Sequence, residues 1–126
     1  VVKGQWGATK RNAHMKNTAV KDGHDVPIYI EQEGGSGGKE SAENSVKELV
    51  GYLAYAEVPR GDKEMRAEPF AIQIEAHNVE CLMRDWTDEY IEELRKFPNG
   101  TFKDQTDATS LGVKKLTDYS GVVHIG

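Results

Sequence analysis

The apolar positions of this chain fall into short runs and helical stripes that alternate along its length. Lys10 to Lys21 reads as a helix with Met15 and Ala19 on one stripe and Asp22-Gly23 as its stop. Val1 to Trp6 before it has the pattern of a strand tail. Val26 to Ile30 is rich in branched residues and ends at Glu31. It predicts a central strand, which Pro27 should open rather than interrupt. Ala42, Val46, Leu49, Val50 and Leu53 recur at helical spacing and form the clearest amphipathic stripe. Tyr55 to Val58 predicts a short strand stopped by Pro59-Arg60-Gly61. Asp62 suits the N-cap of a next helix with Met65, Pro69, Ile72 and Ala76 inward, and Pro69 should kink it or mark its early part. Val79 to Met83 is another strand. Thr87 then suits an N-cap, Trp86 and Ile91 a hydrophobic staple, and Ile91 and Leu94 the inward face of a helix ended by Pro98-Asn99-Gly100. A last helix spans Asp104 to Leu116, and Val122 to Ile125 reads as a final strand or tail. Strands alternating with helices predict an α/β layer fold with a largely parallel sheet.

The 126 residues fit a single domain, 1–126, with one core. Apolar residues make up 37% and charged residues 29%, a balance that excludes a disordered chain. No apolar run approaches the length of a membrane helix, and no signal peptide opens the sequence. The start at Val1 reads as an excised piece of a longer protein. Cys81 is the only cysteine, so no internal disulfide forms and the cytosol is the expected compartment. Its apolar neighbours favour a small buried hydrophobe over a nucleophile. The net charge of −5 argues against a purely electrostatic nucleic-acid binder but is compatible with carboxylates grouped around metals.

Nucleotide and zinc motifs fail on spacing. Gly34-Gly35-Ser36-Gly37-Gly38-Lys39 would need its opening glycine where Glu33 stands, and Glu40 replaces the required hydroxyl residue. A glycine-rich turn is the better reading. His14, His24, His77 and His124 show no ligand spacing.

The carboxylates offer more. Glu31 closes the predicted central strand, the end at which open α/β sheets place ligands. Asp104 and Asp107 share a face at the start of the last helix, and that face continues as Ala108 and Leu111. Hard cations take such oxygen ligands, and two of them can drive phosphodiester cleavage. The competing reading is ordinary: acidic residues suit a helix N-terminus, and a Glu after a strand is usually solvated.

Three segments carry a resemblance. Val26 to Gly34 resembles the second acidic strand of bacteriophage large terminase nuclease domains. Asp62 to Pro69 is similar to their DK-x-x-RA-x-P segment, and Phe97 to Ala108 to their FP-x-G…DD-x-x-DA segment. Trp86, followed by a helix with Glu93-Leu94, also fits. The resemblance spans roughly Trp6 to Leu116 and keeps the three segments in order.

It implies an RNase H-like fold: a mixed central sheet flanked by helices, here truncated at the N-terminus. It implies a Mg²⁺- or Mn²⁺-dependent endonuclease with a two-metal site, cutting concatemeric double-stranded DNA during genome packaging. Glu31 and Asp104 match metal carboxylates, and Asp107 matches a companion in the metal pocket or just behind it. Lys63 and Arg66 match a basic pair that orders the site or meets phosphate; Lys39 joins them as a DNA-binding or site-supporting candidate. For Arg66 a surface ion pair is an equal alternative. The implied partners are the portal, the small terminase subunit and an N-terminal ATPase domain of the same protein, with no membrane, in the cytoplasm of an infected or lysogenic bacterial host.

Two departures stand out. The family's first catalytic Asp belongs to a strand that should precede Val1, and Lys103 stands where the family commonly has the first Asp of a pair. They leave a second reading open, an inactive remnant that binds a packaging protein. A Holliday junction resolvase is a third, disfavoured by the Lys63/Arg66 and Phe97-Pro98 segments.

Overall fold

The computed structural model describes residues 1–117 and 123–125. Two compact units divide the chain, Val2–Pro59 and the residues from Arg60 onward with Val1.

In the Val2–Pro59 unit, helix α1 (Ala8–Asp22) precedes strand β1 (Ile28–Glu31), helix α2 (Ser36–Glu48) and strand β2 (Ala54–Glu57). Gly23, at φ 93°, ends α1 as its sequence predicts, with its N–H donating to the Ala19 carbonyl. β1 and β2 pair in parallel, Ile28 beside Ala54 through Glu31 beside Glu57. A parallel pair needs a crossover, and α2 supplies it. Ala19, Ala42, Ser45 and Leu49 are the buried residues described in this unit. The α1–α2 contact is partly polar: Ser45 Oγ donates to Asn12 Oδ1 at 3.0 Å, and Arg11 Nη2 to Ser41 Oγ at 3.1 Å.

Three expectations are corrected here. No strand forms over residues 1–7; glycines interrupt the segment, and Trp6 stacks on His14. The glycine-rich stretch is not all turn, because α2 starts at Ser36 and takes in Gly37 and Gly38. The amphipathic stripe stops early: Leu49 is buried, but Val50 and Leu53 lie beyond the helix and are 85% and 48% exposed. Gly51, at φ 92°, turns the chain there into β2.

The second unit contains helix α3 (Lys63–Glu75), strand β3 (Val79–Cys81), helices α4 (Thr87–Lys96) and α5 (Asp104–Leu116), and strand β4 (Val123–Ile125). β3 and β4 pair in parallel. Phe70 and Val113 form the core, with Val79, Leu94 and Ile125 packed against them.

The inward faces differ from those the apolar pattern predicts. In α3 the half-buried and buried positions are Lys63, Arg66, Ala67, Phe70 and Gln73, while Met65 and Ile72 are exposed. In α4 Thr87, Tyr90 and Glu93 are buried and Ile91 is exposed, so no Trp86–Ile91 staple forms. Thr87 is the first helical residue rather than the cap. Its hydroxyl accepts from Arg84 N–H at 2.8 Å and donates to the Leu82 carbonyl at 2.6 Å, tying the exit of β3 to the helix. In α5 the buried stripe is Thr106, Ser110 and Val113, about a residue's rotation from the expected Asp104, Asp107, Ala108 and Leu111 face.

The described strands form two parallel pairs, one in each unit, in place of the expected single mixed sheet. Among the described residues no helix is long and apolar enough to cross a membrane.

Candidate functional site

The acidic turn of α5 is held from two neighbouring helices. Asp62 caps α3 as expected, its Oδ1 accepting the Met65 N–H at 2.7 Å. Removing that cap by Asp62→Ala is expected to destabilise the chain by about 1 kcal/mol. An unchanged urea midpoint would show that the bond contributes nothing.

Lys63 follows the cap at the first helical position, where the helix dipole disfavours a cation. It is placed there against an opposite charge, because its Nζ makes a close ion pair with Asp107 Oδ2. Asp107 lies in the first turn of α5, with its side chain 15% exposed against 41% for Lys63. The Asp107 carboxylate thus has an ammonium and the positive end of its own helix beside it. Its backbone N–H donates to the Lys103 carbonyl at 2.9 Å. Asp104 begins the same helix and is exposed. Arg66, one turn after Lys63, is half-buried on the inward face of α3 and engaged in a polar or ionic contact.

Glu93 of α4 has no role in the sequence reading, yet three donors converge on its carboxylate. It is buried, its Oε2 accepts the Thr106 N–H at 2.7 Å and the Thr106 hydroxyl at 3.0 Å, and its Oε1 accepts Gln105 Nε2 at 3.0 Å. A carboxylate from α4 therefore satisfies one of the open N–H groups at the start of α5. The Tyr90 hydroxyl and Thr109 Oγ1 lie 2.6 Å apart, and Thr109 already donates to the Gln105 carbonyl. A hydroxyl has one proton, so Tyr90 is the donor. Burial raises the Tyr90 pKa above its ordinary value, which keeps that proton in place. The advance signal for Glu93 was the resemblance, which takes in Glu93-Leu94 without giving the acid a role.

In the Val2–Pro59 unit, Glu31 closes β1 as predicted, with Glu57 as its register partner on β2. Paired residues of neighbouring strands point to the same face, so two carboxylates sit together at the carboxyl ends of the strands. Sequence reasoning passed over Glu57, which only the register reveals. Both have polar or ionic contacts of their own. The following turn brings the Glu33 carbonyl against Gly38, where a Cβ would stand 2.1 Å from that oxygen, so only glycine fits. Lys39 is exposed in the first turn of α2.

Glu31 and Glu57 in one unit, and Asp104 and Asp107 in the other, each offer the carboxylate oxygen that hard divalent cations take. Asp107 already has Lys63 as its counter-ion. Among the described residues no group of three or more His, Cys, Asp or Glu is gathered closely enough to hold a metal ion. The metal roles of Glu31, Asp104 and Asp107 therefore rest on resemblance rather than on an assembled centre.

A family model described as the terminase RNaseH-like domain matches residues 5–116. The chain belongs to that family. Comparison with curated proteins and with solved structures gives no match. The match takes in both units of this terminase domain, including Glu31, Lys39, Lys63, Arg66, Asp104 and Asp107.

Proposed function

We propose that this chain is the nuclease part of a phage large terminase, a Mg²⁺- or Mn²⁺-dependent endonuclease that cuts concatemeric double-stranded DNA during packaging. The observation that supports this most is the family match across residues 5–116. A divalent cation, when bound, would supply an activated water and charge neutralisation at the scissile phosphate. Asp104 contributes an exposed carboxylate and Asp107 a half-buried one, a turn apart on α5. The resemblance matches Glu31, at the end of β1, to a further metal carboxylate. Lys63 balances the charge of Asp107, and Arg66 and Lys39 serve the DNA backbone or the order of the site. The partners in this reading are double-stranded DNA, the portal, the small terminase subunit and an ATPase domain, in the cytoplasm of a bacterial host.

Plasmid nicking in Mn²⁺ tests the reading. Glu31→Ala and Asp104→Ala are each expected to lower the nicking rate at least about 100-fold while the circular dichroism spectrum is kept, since each removes a ligand that positions the metal. Undiminished cutting by either variant removes its residue from the chemistry.

A second reading has an observation of its own. Lys103 stands at the N-cap of α5, where the resemblance leads one to expect an acid, and Lys63 engages Asp107. Both suit an inactive domain that serves as an interaction module for a packaging protein. A chain that neither binds Mn²⁺ nor nicks plasmid, yet is retained by the portal or small subunit, decides for it.

A further inference from the structure

Charge is distributed unevenly along this chain. The first 21 residues carry five cations, Lys3, Lys10, Arg11, Lys16 and Lys21, and no acid, although the chain as a whole has a net charge of −5. Four of the five fall on α1. Arg11 is half-buried and bonded to Ser41 of α2. Lys10, Lys16 and Lys21 are exposed, and among the described residues their ammonium groups have no hydrogen-bond or ion-pair partner. Lys10 and Lys21 return to nearly the same side of the helix, roughly 16 Å apart along its axis, and Lys16 stands on the flank of that line. The other surface helices differ. α4 offsets Arg95 and Lys96 with Glu92, and the exposed positions of α2 mix Lys39 and Lys47 with Glu40, Glu43 and Glu48. Solvation alone calls for no such separation of sign, since mixed pairs solvate a helix and also support it. The amino end of α1 adds to the positive field, because no side chain caps it and no acid stands in its first turn.

We propose that the exposed face of α1 is a docking surface for duplex DNA, held by the phosphate backbone through Lys10, Lys16 and Lys21 without reading bases. The chemistry of the face selects this occupant. A helix that lies on a membrane needs a broad apolar side, but the opposite side of α1 is taken up within its own unit: Ala19 is buried, and Arg11 and Asn12 bond to Ser41 and Ser45. A protein partner is anchored by apolar and aromatic side chains, and among the described residues Val20 is the one exposed large hydrophobic of α1. A single strand is gripped by stacked rings, whereas Trp6 is half-buried and already stacked on His14 at 3.9 Å. What the face offers is positive charge, and duplex DNA presents a negative charge about every 1.7 Å of its axis. The 15 residues of α1 span about 22 Å, the length of about six base pairs. The negative charge of the whole chain does not cancel this attraction. At 0.1 M salt, charges more than about 10 Å away are largely screened, so the local sign decides. The choice of DNA as the polyanion rests on the proposed function. The cationic face does not, and it would tether an active and an inactive domain alike.

Fluorescence anisotropy of a labelled DNA duplex, in EDTA, tests the surface apart from any cutting. The unaltered chain is expected to lose about 40-fold in affinity between about 50 and 200 mM salt, the dependence that three neutralised phosphates impose. Lys10→Gln, Lys16→Gln and Lys21→Gln combined are expected to flatten that dependence and to weaken low-salt binding at least about 30-fold. The circular dichroism spectrum should be kept, because Gln suits a helix nearly as well as Lys. Arg at the same three positions is expected to keep the binding. Lys47→Gln, Lys96→Gln and Lys114→Gln combined change the net charge equally at exposed positions elsewhere and are expected to leave most of it. Should the α1 triple variant fail to fold, its three single variants carry the test, each lowering the slope of log affinity against log salt by about 1. Equal losses in the two triple variants reduce the effect to net charge and overturn the proposal. Undiminished binding by the α1 variant, or no duplex binding by the unaltered chain, overturns it too. Capture by phosphatidylserine vesicles in place of the duplex, lost with the same three lysines, overturns it in favour of a membrane surface. Duplex binding that persists in a chain unable to nick plasmid supports the α1 face and counts against the nuclease reading alone.

Discussion

Replacing Glu93 with Ala is expected to lower the unfolding free energy by about 3 kcal/mol, because three donors lose one buried anionic acceptor. The Thr106 amide is the critical one. It lies in the first turn of α5, where no carbonyl of the same helix can serve it. The Thr106 hydroxyl, 3.0 Å from Glu93 Oε2, is stranded in the same buried place. Glu93→Gln should cost less. Gln105 Oε1 is buried without a hydrogen-bond partner, so it can accept from the nitrogen of the introduced side-chain amide once its own amide turns over. Urea denaturation of the two variants checks the order. Equal midpoints for Glu93→Ala and the unaltered chain would falsify the assignment of these bonds as a stabilising cap.

Phe70→Ala is expected to cost about 4 kcal/mol, the range for removing a large aromatic from a well-packed core. Phe70 is 4% exposed and Val113 1%, and among the described residues Val79, Leu94 and Ile125 are the apolar side chains packed around them. With so few apolar neighbours, little can collapse into the space left behind. Chemical denaturation measures the loss. A cost below about 1 kcal/mol would mean that the α3–α5 contact is sustained by its ion pair and not by this ring.

Much of the element order was legible in the sequence, and the reasons are local. Asp62 caps α3 because a carboxylate before a helix finds an open N–H three residues on. Gly23 ends α1 because the left-handed turn after a helix favours glycine. The last helix runs from Asp104 to Leu116 as its pattern predicts. The faces of the helices were far less legible. Hydrophobic periodicity assumes that apolar residues point inward, and the second unit departs from this. Its α4–α5 contact is made by Tyr90, Glu93, Thr106 and Thr109, with Ser110 buried beside them, while Met65, Ile72 and Ile91 are exposed. No rule of apolar spacing finds an inward face built from hydroxyls and a carboxylate.

The candidate site shows the same division. Motif resemblance selected Lys63 and Asp107, which the structure brings into contact although they are 44 positions apart. It also selected Asp104, which is exposed, and Glu31, which closes β1 in the Val2–Pro59 unit. Glu57 escaped notice, and Glu93 entered only within a matching segment and without a role, because their significance depends on strand register and on the approach of a second helix. Neither relation leaves a signature in nearby sequence.

The hydroxyl-rich seam between α4 and α5 has a consequence for how this region yields to solvent. Pulling the two helices apart there uncovers the Tyr90 ring and Leu94 and at the same time strands the donors of Glu93, so the seam loses apolar contact and directional bonds together. Directional bonds hold it in one rotational setting. An aliphatic seam tolerates slippage between equivalent packings, whereas Tyr90, Glu93 and Thr106 find their mates in a single alignment. The rotational setting of the acid-bearing end of α5 is therefore shared between α3, through Lys63, and α4, a helix whose residues the resemblance gave no chemical role.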